Sequence, residues 1–321
     1  MAEATSQKQN GSTPSVQTPN GPQTRTILWC VPRSCSTALT KCLSFCKETE
    51  VWFEPYTYCK ATTDTVREVL GPHLPHRYKG NEEKFRQAGD LFDKICHCKV
   101  RPEYLSFASI GQFLESSSER HVFVKDMAYA ITPNEYNFLP AGYKHAFLIR
   151  HPLRVFRSWR KAMFAQHSAL GLLKGEAAVE ETYDLERDCP YLNSGGLMFK
   201  DTYDIWKYVC ENLDSDPIVI DGDDLLSKPA KVLPKFCEAI GFPYDESLLS
   251  WDASAEITKS WKLPADGLVG NLVHLYGTAI LSGEFLEASQ PPSRDEVTAD
   301  VLRCSDEMMK YYEEMYEART K

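Results

Sequence analysis

Five short apolar runs punctuate the chain, "TILWCV" (26–31), "VWFEP" (51–55), "HVFVKDM" (121–127), "KHAFLI" (144–149) and "DPIVID" (216–221), and segments of helical period separate most of them. A run without polar alternation suits a strand buried on both faces, where both sets of side chains meet protein rather than water. Strand and helix in turn predict a three-layer α/β/α domain with a mainly parallel central sheet. After the first run, Leu39, Cys42, Leu43 and Cys46 fall at i, i+3, i+4 and i+7, on one helical face. Residues 82–118 read as helical, with Phe85, Leu91, Ile95, Leu105, Ile110 and Phe113 as core positions. "RDEVTADVLRCSDEMMKYYEEMYEA" reads as a closing amphipathic helix with Val301, Met308, Tyr312 and Met315 turned inward.

The first two dozen residues are rich in Ser, Thr, Gln, Asn, Pro and Gly, which predicts a disordered tail over 1–24 and one folded domain over 25–321. No apolar stretch approaches the roughly 20 residues of a membrane span. "LVGNLVHLYGTAIL" is short and interrupted, and the N-terminus has no secretory signal, so the expected location is cytoplasmic. A formal net charge of -9 argues against a nucleic-acid partner and leaves room for a small anionic ligand held by a few local cations. The eleven cysteines read as reduced thiols. Cys96, His97 and Cys98 stand together in "ICHCKV", but adjacent ligands do not have zinc-site spacing, and no metal is expected. A homo-oligomer is compatible with the sequence but not readable from it.

At the carboxyl end of the first run lies "VPRSCSTAL" (31–39), where α/β proteins place ligand crevices. Ser34, Cys35, Ser36, Thr37 and Ala38 open the following helix, whose first N–H groups have no intrahelical partner and suit a phosphate or sulfate. Arg33 adds a cation. The loop lacks the glycines and the Gly-Lys-Ser/Thr ending of a nucleoside triphosphatase. The plain alternative is an N-cap cluster beside a surface arginine. A second constellation is "FLIRHPLRVFRSW": Arg150 ends a strand, Pro152 takes a favoured first helical position, and Ser158 follows the arginine by eight residues. Val155, Trp159 and Ala162 give that helix an inward face with Ser158 at its edge. Arg150 and Ser158 suit a second phosphate group. Arg154, Arg157, Arg160 and Lys161 equally allow a basic solvated helix.

Together the two motifs resemble the sulfotransferases that use 3′-phosphoadenosine 5′-phosphosulfate (PAPS), a family with a P-loop-like nucleotide-binding fold. In that family a "P-[RK]-S-G-[ST]-T" loop binds the 5′-phosphosulfate, and an Arg followed eight residues later by Ser binds the 3′-phosphate. The resemblance implies that Arg33, Ser34, Ser36 and Thr37, in one loop with Cys35 and Ala38, hold the 5′ end, and that Arg150 and Ser158 hold the 3′ end. Cys35 stands where the family usually has Gly, and a left-handed backbone there would burden its Cβ. "DPIVIDGDDLLSKPAKVLPKFCEAIGFPYD" resembles the family's late strand and helix region. The implied co-substrate is PAPS, with no metal.

Transfer of a sulfuryl group needs a base for the acceptor's proton and cations for the leaving phosphate. Glu54 is the candidate base, because some family members place a catalytic Glu after the corresponding strand; the plain alternative is a strand-end carboxylate solvated or paired with Lys60. Lys125 is the candidate contact to the sulfuryl oxygens, in "HVFVKDM" where cytosolic members carry "K-T-H"; Asp126 is the fallback base, and a local Lys125–Asp126 ion pair is the plain alternative. Arg33, helped by Lys41, would stabilise the leaving group. His151 and His167 stay outside the catalytic set, and "ITKSWKLP" (257–264) is a candidate lid. Trp52, Phe53, Tyr56 and Tyr58 suit a small organic acceptor or a core. A catalytically idle binding protein on the same fold is the alternative function, and a small-molecule kinase a further one.

Overall fold

Each apolar run becomes a strand. In this computed structural model, which describes residues 22–71, 73–193 and 198–320, β1 (Thr24–Cys30), β2 (Thr49–Phe53), β3 (His121–Met127), β4 (Lys144–Ile149) and β5 (Ile218–Asp221) form one sheet. The strand order is β2-β3-β1-β4-β5 and every pair is parallel. β1 is central, with Trp29 opposite Asp126 on one side and Phe147 on the other. The expected tail over 1–24 lies outside the described residues up to position 21, and β1 already begins at Thr24.

Five helices follow in the first half: α1 (Ser36–Leu43), α2 (Pro55–Leu70), α3 (Glu82–Cys96), α4 (Phe107–Ser116) and α5 (Pro152–Ala169). Alternation along β1 decides the layers. Ile27 and Trp29 enter a core shared with α4, α5 and the helices Met198–Asn212 and Ala299–Glu317, while Leu28 and Cys30 enter one shared with α1 and the helix Pro229–Ile240. The three-layer expectation is met. Val301, Met308, Tyr312 and Met315 of the closing helix are all buried.

Two expectations change. The helix expected over 82–118 breaks, because His97 ends α3 with φ 53°, Pro102 opens a separate turn, and the Ser106 hydroxyl accepts from the Ser109 N–H as cap of α4. Phe85, Leu105 and Ile110 are buried as expected, Leu91 and Phe113 are half-buried, and the side chain of Ile95 lies outside the described residues. The segment 257–264 is no lid. Its Lys262 N–H donates to the Val51 carbonyl at 2.8 Å, Phe53 donates back to Lys262 at 3.2 Å, and the buried Trp261 ring stacks on Phe53 at 4.7 Å. It covers the outer edge of β2, which would otherwise be an open pairing edge.

The chain leaves β3 on one side of β1 and re-enters at β4 on the other, so the loops after β1 and β4 diverge and open a crevice at their carboxyl ends. Among the described residues no helix is long and apolar enough to cross a membrane, and no group of three or more His, Cys, Asp or Glu could hold a metal ion. The side chain of Cys96 lies outside the described residues.

Candidate active site

β1 delivers the chain into a turn that is left-handed twice, at Arg33 (φ 61°) and Cys35 (φ 67°). Ser34 between them is fully buried and its hydroxyl donates to the Val31 carbonyl at 2.7 Å, so it closes the turn instead of facing a ligand. Cys35 does occupy a left-handed position, at a typical cost of about 1–2 kcal/mol for a residue with a Cβ. It is the N-cap of α1 and supplies no side-chain acceptor, so the first-turn N–H groups keep their capacity for an anion. Its thiol lies 3.7 Å from the Gly222 carbonyl, and burial pushes its pKa up to about 12. A Cβ on Gly222 would stand 2.7 Å from the Ser34 carbonyl oxygen, so only glycine lets the helix Gly222–Ser227 pass the loop this closely.

The loop and α5 meet through Arg33. Its Nε donates to Ser158 Oγ at 3.0 Å and its Nη1 to the Leu275 carbonyl. Arg150 donates through Nη1 to the Arg33 carbonyl at 3.1 Å and through Nε to Asp223 Oδ1 at 2.9 Å. The expected Arg150–Ser158 pair is therefore shared with Arg33: Ser158 bonds the loop arginine. Burial, with the Arg150 cation as a lesser cause, holds Arg33 below the usual arginine range. The basic helix is not uniformly solvated, since Arg160 is buried and tied to Asp300 at 3.2 Å and to the carbonyls of Glu180 and Tyr183.

Glu54 ends β2 as the N-cap of α2, again left-handed (φ 56°), and is 1% exposed. One carboxylate oxygen accepts from Lys125 Nζ and the other from the Tyr276 hydroxyl at 2.6 Å. Burial works against the Lys125 ammonium, yet the Glu54 carboxylate beside it keeps its pKa above the ordinary lysine value. The alternatives weighed from sequence thus fall away: Lys60 pairs with Asp64, and Lys125 pairs with Glu54 rather than Asp126. Lys125 is fully buried and outside the cavity lining, so it supports Glu54 instead of reaching a sulfuryl oxygen. Asp126 is not a cavity group either. Its carboxylate accepts from the N–H groups of Tyr56 (2.6 Å), Thr57 (3.1 Å) and Met127 (2.8 Å) and from the Thr57 hydroxyl (2.6 Å), capping α2 from the neighbouring strand. Burial pushes its pKa up to about 7 against the pull of those donors.

Arg33, Cys35, Ser36, Thr37, Ala38, Glu54, Arg150 and Ser158 line one cavity of about 540 Å³. Three of its lining residues, Arg33, Cys35 and Glu54, are left-handed without being glycine, the kind of strain that concentrates at functional sites. Lys41 does not reach it, being buried with its ammonium on the carbonyls of Ile280 and Ser282. Of the four aromatic residues expected near an acceptor only Tyr58 lines the cavity; Trp52, Phe53 and Tyr56 are core. His167 lines it and burial lowers its pKa, whereas the His151 ring accepts from the Leu153 N–H as cap of α5. Sequence reasoning missed Phe92, Tyr129, Trp159, Met163 and Tyr276 as lining residues. Tyr276 lies within "LVGNLVHLYGTAIL", where apolar character alone pointed to a core or a span.

Residues 210–319, which contain β5 and the whole closing helix, match the family model described as "Sulfotransferase domain". The match is to sulfotransferases. Solved structures align along most of the chain at low identity. A sulfotransferase domain from the curacin biosynthetic pathway is 13% identical, covers 90% of this chain and 99% of its own, and has a TM-score of 0.42. A sulfotransferase domain from a Synechococcus olefin synthase is 14% identical, with coverages of 91% and 98% and a TM-score of 0.38. A mouse sulfotransferase complexed with PAP is 15% identical, with coverages of 92% and 89% and a TM-score of 0.43. Curated protein sequences give no significant match.

Proposed function

We propose that the protein transfers a sulfuryl group from PAPS to a hydroxyl or amine of a small organic acceptor. The observation that carries this reading is the convergence of the Arg33–Ala38 loop, Arg150, Ser158 and Glu54 on one cavity. Two arginines from different elements, Arg33 of the loop and Arg150 at the end of β4, suit a nucleotide phosphorylated at both ends, and the absence of a Gly-Lys-Ser/Thr loop fits a donor without a γ-phosphate. The first-turn N–H groups of α1, the Ser36 and Thr37 hydroxyls and Arg33 receive the 5′-phosphosulfate; Arg150 and Ser158 receive the 3′-phosphate. Glu54 accepts the acceptor's proton as its oxygen or nitrogen bonds to sulfur and the bond from sulfur to the phosphate oxygen breaks. The departing phosphate is neutralised by Arg33 and the helix N–H groups. Lys125 pairs with the buried Glu54 carboxylate and fixes its orientation, and Tyr58, Phe92, Met127, Tyr129, Trp159 and Met163 make the apolar wall for the acceptor.

The test is transfer of labelled sulfur from PAPS to a panel of phenols, alcohols and amines. The wild type forms a sulfated product, and Glu54→Gln is at least about a hundredfold slower, as loss of a general base requires. Product formed by Glu54→Gln at the wild-type rate contradicts the assignment. The second reading, an idle nucleotide-binding protein, is favoured by one observation: both Glu54 oxygens are already engaged. Binding of adenosine 3′,5′-bisphosphate without transfer to any acceptor selects it.

A further inference from the structure

Asp223 stands in the first turn of the helix Gly222–Ser227, outside the cavity lining, and holds two arginines from behind. Its Oδ1 accepts from Arg150 Nε, and its Oδ2 forms an ion pair with Arg154 Nε, each at 2.9 Å. The Arg150 and Arg154 side chains are only 15% and 9% exposed, against 25% for Asp223. The carboxylate is itself fixed. The Asp223 N–H donates to the Asp221 side chain at 2.8 Å, and Gly222 lies against the Ser34 carbonyl, so the turn that carries the carboxylate packs directly on the loop and cannot come closer without displacing it. With Nε on Asp223 and Nη1 on the Arg33 carbonyl, the guanidinium plane of Arg150, which lines the cavity, is set.

We propose that Asp223 is a positioning residue for nucleotide recognition: it orients Arg150 so that the cavity discriminates a 3′-phosphorylated nucleotide from one lacking that phosphate. The proposal rests on the PAPS reading and assigns the discrimination to a residue that does not touch the ligand. Orientation and bare charge pull in opposite directions here. Deleting an anion favours an incoming phosphate, but at a partly exposed position solvent and salt screen that gain. A guanidinium that loses its fixed plane loses directed, charge-assisted hydrogen bonds.

The experiment compares calorimetric affinities for adenosine 3′,5′-bisphosphate and adenosine 5′-monophosphate in the wild type, Asp223→Ala and Arg154→Leu. The wild type prefers the bisphosphate. In Asp223→Ala that preference falls about tenfold while the monophosphate affinity stays within about twofold, which also reports an intact loop and fold. Arg154→Leu, which frees one side of the carboxylate, gives a smaller loss of the same sign. An unchanged or increased preference in Asp223→Ala, or an equal loss for both nucleotides, overturns the positioning role alone. Failure of the wild type to bind the bisphosphate overturns the donor reading and this proposal with it.

Discussion

Gly222 shows how one missing atom holds a site together. A Cβ there meets the Ser34 carbonyl at 2.7 Å and Cys35 Sγ at 3.3 Å, and both belong to the loop proposed to bind the donor. Gly222→Ala is expected to lose about 1–3 kcal/mol of stability in urea unfolding, as overpacking does, and to weaken nucleotide binding as the loop shifts. Unchanged stability and affinity would show that the loop yields freely. His145 gives a pH signature. Buried, with its Nδ1 accepting from Trp29 Nε1 at 2.9 Å, it has its pKa lowered by burial from 6.5 to about 4. Between those values the unfolded chain binds the proton and the folded chain does not, so this group's contribution to stability rises with pH across that window. Asp126 and Asp221, pushed up by burial to about 7 and about 6, tilt the same window the other way. The difference in unfolding free energy between wild type and His145→Phe cancels them, and it is expected to grow by about 3 kcal/mol from pH 4 to 6.5 and to be flat above. A difference independent of pH contradicts a buried neutral imidazole.

Among the elements, α2 has its start defined from outside itself. Pro55 opens the helix, Glu54 turns away left-handed to meet Lys125 and Tyr276, and the free N–H groups of Tyr56 and Thr57 are taken by Asp126 on β3. Asp126→Asn sets an amide NH₂ among donors and is expected to lose about 1–3 kcal/mol in thermal or urea melts, with nucleotide affinity kept. Full stability with abolished sulfuryl transfer would return Asp126 to the catalytic role that the fallback assigned. The register of β3 next to β2 could not be read from "HVFVKDM" alone. Residues Lys125 and Asp126 point to opposite faces of their strand, so one meets Glu54 and the other caps the helix, and that division depends on pairings distant in sequence. Helical period likewise carried 82–118 as one element, although Pro102 and Ser106 already marked its break.

At the level of the whole molecule, the five apolar runs name the strands because a parallel sheet buried on both faces leaves that mark on composition. The central place of β1 and the divergence of its loop from that of β4 come from packing, and they bring Arg33 to Ser158 across 125 positions. The wall contributed by Leu272, Leu275 and Tyr276 was invisible for a similar reason: a Tyr in an apolar segment has no signature until a buried carboxylate is placed opposite it. In the proposed function, the joined loop and α5 motifs form a site for a 3′,5′-bisphosphorylated adenosine nucleotide. Calorimetric titration with adenosine 3′,5′-bisphosphate, with ATP as control and with Arg33→Ala and Arg150→Ala as variants, tests it most directly. The wild type is expected to bind the bisphosphate with an affinity that ATP does not match and that both variants weaken by about tenfold or more. Folded wild-type protein that fails to bind the bisphosphate, or variants that bind it as well as the wild type, would contradict it.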